Sequence, residues 1–93
     1  SLAGQRRSLD AARIGAEAEW EASTASVAAR EEAVRASDAA LRLVQERYRA
    51  GLADVSALLD ARRSGVDALV GLLRARARRW SALSAVEAAR GVR

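Results

Sequence analysis

Arg47-Tyr48-Arg49-Ala50-Gly51-Leu52-Ala53-Asp54-Val55 is where the fold of this chain is decided, because two helical patterns meet there and neither runs through it. Upstream, from about Gln5, only Gly15 disfavours a helix, at about 1 kcal/mol relative to alanine. Within that run Trp20, Val27, Val34, Leu41 and Tyr48 recur every seven residues, which marks a narrow stripe facing a partner helix. At the break, Gly51 stands where a left-handed helix cap falls, and Asp54 where a new helix takes its N-cap or first-turn acid. Downstream, Leu52, Val55, Leu59, Arg62, Val66, Leu69, Leu73, Arg76, Trp80 and Leu83 advance by alternating steps of three and four. That is the rhythm of a second coiled-coil helix, with Gly91 as its stop and with Gly65 and Gly71 as points of close helix approach.

The sequence therefore predicts an all-α fold: a long antiparallel two-helix coiled-coil hairpin, with a helix over about 5–49, a tip turn over about 50–53 and a helix over about 54–90. In such a hairpin, residues whose numbers sum to about 100–103 face each other. Tyr48 then meets Val55, Leu41 meets Leu59 and Arg62, Val34 meets Val66 and Leu69, Val27 meets Leu73 and Arg76, and Trp20 meets Trp80. The same register brings Glu17, Glu19 and Glu21 near Arg76, Arg78 and Arg79, while Glu31 is spaced to pair with Arg35. Arms of this length would each measure about 60 Å. Ala25, Ala28, Ala29, Ala36, Ala39 and Ala40 lie outside the seam and ask for further helices, as in one piece of a larger helical wall.

Composition narrows the function. Among 93 residues there are 24 alanines and 23 larger apolar residues, so half of the apparent hydrophobicity is methyl groups, too little for a compact enzyme core. Histidine and cysteine are absent, which removes the usual metal ligands, the neutral-pH base, the thiol nucleophile and any disulfide. No serine has a histidine or lysine partner and no glycine loop is built to cradle phosphate. The expectation is a protein that is not an enzyme and carries no cofactor and no metal. Neither a membrane helix, which needs about 18 consecutive apolar residues, nor a signal peptide is visible. The net charge of +4 is made with arginine alone and sits in the second half of the chain.

One longer string is specific: Leu43-Val44-Gln45-Glu46-Arg47-Tyr48-Arg49-Ala50-Gly51-Leu52-Ala53-Asp54-Val55-Ser56-Ala57-Leu58-Leu59-Asp60-Ala61-Arg62-Arg63-Ser64. It resembles the second periplasmic tip of the TolC-like outer-membrane efflux-duct family, whose pattern is an Arg-Tyr, a glycine turn, then Val-Leu-Asp-Ala-Gln-Arg-Ser. The likeness is strongest over about residues 40–64. It continues loosely through Leu72-Leu73-Arg74-Ala75-Arg76, ends at Val86-Glu87-Ala88-Ala89-Arg90-Gly91, and over residues 5–39 extends to helical character only. The resemblance implies the C-terminal periplasmic hairpin of a longer protein, a fragment of a trimeric α-helical tunnel whose outer-membrane β-strands are not present in this chain. It implies a homotrimer, partnered by a periplasmic adaptor protein and an inner-membrane pump, in the periplasmic part of an outer-membrane protein of a Gram-negative bacterium. By position, Tyr48 and Asp60 match residues of the entrance gate, and Arg49, Ala50, Gly51, Leu52 and Ala53 match the tip that contacts the adaptor. Ala53 and Ala57 depart from the pattern, standing where some members carry an arginine and an aspartate of the gate.

The alternative, from a different class, is a basic coiled-coil adaptor that binds an acidic partner or nucleic acid through Arg74-Ala75-Arg76-Ala77-Arg78-Arg79. On a helix these arginines form no single stripe, since Arg74 and Arg78 share one face and Arg76 and Arg79 do not. No nucleic acid is therefore expected as partner of the hairpin.

Overall fold

A computed structural model describes residues 2–91. Helix α1 spans Leu2–Arg49 and helix α2 spans Val55–Arg90, and the chain is an all-α helical hairpin with no strand among the described residues. The first helix begins earlier than the sequence suggests, because nothing between Leu2 and Gln5 opposes it and Gly4 costs only about 1 kcal/mol. The chain forms two compact units: one comprises Ala28–Arg74, with the turn, and the other brings together the helical segments ending at Val27 and beginning at Ala75.

In the unit of residues 28–74, α1 turns Val34, Ser37, Leu41 and Val44 inward, while α2 turns Leu58, Ala61, Gly65, Ala68 and Leu72 inward. In the other unit Ala16, Trp20, Ser23 and Val27 of α1 face the row Ala75, Arg79, Ala82, Val86 and Ala89 of α2. Val27, Leu72, Ala75, Ala82 and Val86 are the buried apolar residues, Val27 being 2% exposed. In the unit of residues 28–74 the large Val34, Leu41 and Val44 of α1 are set against a row of α2 that is small at Ala61, Gly65 and Ala68 and large at Leu58 and Leu72.

This corrects the α2 seam inferred from spacing. Leu59, Val66, Leu69, Leu73 and Trp80 lie one position beyond the inward row, Val55 precedes it, and all stay exposed, Val66 at 60% and Trp80 at 71%. The rows 58/61/65/68/72 and 59/62/66/69/73 share the same three-four rhythm, so periodicity alone does not choose between them. The rows differ in volume and charge at their middle, where Ala61, Gly65 and Ala68 turn inward and Arg62, Val66 and Leu69 do not; an arginine and two larger side chains there would force the axes apart. Of the spacing-derived partners, Leu83 is half-buried, whereas Leu52, Arg62 and Arg76 are exposed.

Polar groups in the seam are satisfied locally. The Ser23 hydroxyl donates to the Trp20 carbonyl at 2.9 Å, and Ser37 donates to the Val34 carbonyl at 2.9 Å. Among the described residues no buried side-chain N or O lacks a partner. At Gly71 the helix surface lies under the Arg30 side chain, where an added Cβ would stand 3.2 Å from Nη1, whereas nothing lies within 4 Å of a Cβ at Gly65. The ion pairs also depart from expectation. Glu17 pairs with Arg90 at 3.0 Å rather than with Arg76, Arg78 or Arg79. Arg35 pairs with Glu32 at 2.8 Å rather than with Glu31.

Candidate functional site

The tip is built by two caps. As α1 ends, the Gly51 N–H donates to the Tyr48 carbonyl at 3.1 Å and the Leu52 N–H to the Arg47 carbonyl at 2.8 Å. This is the Schellman pairing, and it requires the left-handed backbone found at Gly51, φ 75°. Arg47 and Arg49 occupy the last turn of α1, where positive charge complements the free carbonyls. Three residues after Gly51, the Asp54 carboxylate accepts from the Ala57 N–H at 2.9 Å and caps α2. Part of each helix end is thereby satisfied within the turn itself, and Asp54 is the side chain of the turn that these bonds spend on capping.

Leu52 projects from this turn at 78% exposure, and Tyr48 and Val55 flank it, also exposed. Arg49, Ala50 and Gly51 are exposed and Ala53 is half-buried. Tyr48 and Asp60, the residues matched to the gate, make no side-chain hydrogen bond and no ion pair among the described residues. Asp60 lies on the exposed side of α2, about 9 Å along the helix from Asp54. The tip therefore offers one apolar knob, one phenol and one free carboxylate to a surface outside this hairpin.

No protein-family model, curated protein or solved structure matches the chain.

In the unit away from the turn, Arg76, Arg79, Trp80, Leu83 and Trp20 line a surface hollow of about 300 Å³. A second hollow of about 370 Å³ is lined by Glu19, Ala77, Arg78, Ser81, Ala82 and Ala85, so Glu19 and Arg78 do share one depression, though no ion pair joins them. Arg74, Arg76 and Arg78 are exposed and form no ion pair among the described residues. Among the described residues no three acidic, histidine or cysteine side chains gather to hold a metal, and no helix is long and apolar enough to cross a membrane. The feature that spacing misplaced is the large apolar row of α2, whose signal was present in the sequence but was assigned to the wrong side of the helix.

Proposed function

We propose that this hairpin is a periplasmic tunnel segment of an outer-membrane efflux or type I secretion duct, with its tip at the gated entrance that docks a periplasmic adaptor. The observation carrying this reading is the tip. Its turn is closed by its own backbone around Gly51, inside the string of residues 43–64 that resembles the TolC-like duct family, and it leaves Leu52 exposed and the Tyr48 hydroxyl and Asp60 carboxylate exposed and unbonded among the described residues. A segment meant to be one stave of a wall also needs an unburied apolar flank, and α2 has one. In the full-length trimer, Tyr48 and Asp60 would supply the links that close the entrance, and Arg49 to Ala53 the adaptor contact.

The test is single-channel conductance of the full-length trimer in planar bilayers. Tyr48→Phe with Asp60→Ala removes the hydroxyl and the carboxylate without touching the inward rows, so the open state gains about tenfold for each 1.4 kcal/mol of closing energy lost. Unchanged conductance and unchanged cation preference would remove these residues from any gate. One observation favours the second reading, a basic adaptor for an acidic partner: Arg76, Arg78 and Arg79 form no ion pair with Glu17, Glu19 or Glu21, the carboxylates that the sequence register places near them. Salt-sensitive binding of the chain to a short duplex or an acidic peptide, lost on Arg→Gln changes there, would take that reading over the duct.

A further inference from the structure

In the unit away from the turn, one side chain stands against the rule for its type. Arg79 belongs to the inward row of α2 and is half-buried, yet among the described residues its guanidinium makes no hydrogen bond and no ion pair. A charge drawn partly out of water without a counter-charge is costly, and such groups are normally paired. The carboxylates on this stretch of α1 do not serve it. Glu17 is taken by Arg90, Glu19 lines the other hollow of the unit, and Glu21 is exposed and forms no ion pair among the described residues. Arg79 instead lines the hollow of about 300 Å³ together with Arg76, Trp20, Trp80 and Leu83. Arg76 is equally without an ion pair, so two guanidiniums and two indoles share one depression with no anion in it from this hairpin.

We propose that this hollow is a binding site for a small planar aromatic anion, a one- or two-ring aryl carboxylate. The indoles and Leu83 give the ring apolar and π surface, and the guanidiniums give the acid group donors in the fork geometry that a carboxylate matches. A cation, which tryptophans alone could cage, is repelled by Arg76 and Arg79, and a neutral ring leaves both charges unanswered. The volume lies at the lower end of the roughly 300–1,000 Å³ of ligand pockets, so it suits one or two rings rather than a larger molecule. Because α1 supplies Trp20 and α2 the other four residues, the hollow spans the seam and opens on a broad side of the unit. The staves of a wall meet along their edges, so an occupied hollow is compatible with that assembly and leaves the tip untouched. The proposal does not rest on the duct reading.

The chain has two tryptophans and both line the hollow, so the two indole N–H signals of the nitrogen-15-labelled full chain report occupancy directly. Naphthoate is expected to shift both along one saturable curve with a dissociation constant of about 1 mM, as suits so small a ligand. Naphthamide, which keeps the rings and lacks the charge, is expected to bind about tenfold more weakly. Arg76→Gln with Arg79→Gln removes that preference while circular dichroism shows unchanged helicity. Arg74→Gln with Arg78→Gln makes the same change in net charge at side chains that do not line the hollow, and leaves the preference in place. Equal affinities for acid and amide, a shift confined to one indole, no saturable shift at about ten times the expected constant, or an equal loss in both arginine pairs would each overturn the proposal.

Discussion

Among single residues, burial separates side chains that composition counts alike. Val27 is almost wholly enclosed, whereas Ile14 stands 63% exposed. Val27→Ala is expected to cost about 1.5–2 kcal/mol through lost burial and the void left behind. Ile14→Ala is expected to be neutral or stabilising by a few tenths of a kcal/mol, since alanine is the better helix former and little burial is lost. Urea unfolding followed by circular dichroism reads both, and equal losses at the two positions would contradict the burial pattern. The three ion pairs among the described residues matter less: even Glu17 with Arg90, which joins α1 to α2, has side chains about half exposed and is worth at most about 1 kcal/mol.

For whole elements, the turn and the interior of α2 give glycine opposite meanings. At Gly51 the backbone is left-handed, so Gly51→Ala strains the cap and costs about 1 kcal/mol. Gly65 is helical with nothing within 4 Å of the added methyl, so Gly65→Ala is expected to stabilise by about 1 kcal/mol. Melting temperatures moving in opposite directions check the pair. Both helices and the turn were legible because their signals are local: a heptad row, a glycine at the cap and an aspartate three residues later. Which face of α2 turns inward was not, since Leu59, Val66 and Leu73 and their neighbours Leu58, Gly65 and Leu72 keep identical spacing. What separates the rows is their middle, Ala61, Gly65 and Ala68 against Arg62, Val66 and Leu69, which must fit Val34 and Leu41 of the facing helix, and that is a property of two elements together.

For the molecule as a whole, the corrected pairing has a covalent readout. Arg30 lies over Gly71, which sets the level at which the two helices pass, and at that level half-buried Val34 comes beside half-buried Ala68. Val34→Cys with Ala68→Cys is therefore expected to close an intrachain disulfide, while Val34→Cys with Val66→Cys is not, because Val66 points out of the seam. Gel mobility under non-reducing conditions distinguishes them, and the reverse outcome would restore the row inferred from spacing. The candidate site was legible only in part. The string around Gly51 announced a built tip, but whether Tyr48 and Asp60 are spent inside the hairpin depends on which way each helix face turns, which no single helix specifies.

The packing of large into small leaves one further mark on the chain. Val34 and Leu41 lie seven residues apart on α1, and the inward row of α2 in the same unit runs Leu58, Ala61, Gly65, Ala68 and Leu72, small in the middle and large at both ends. Displaced by one heptad, about 10.5 Å, a large residue of α1 would meet Leu58 or Leu72 instead of the small middle, so the ends of the row act as stops against sliding. Axial position is held by these stops as well as by the short closed link around Gly51 and Asp54. A single proteolytic cut in that link would therefore leave the helices of this unit in step, a nicked rod that keeps its length.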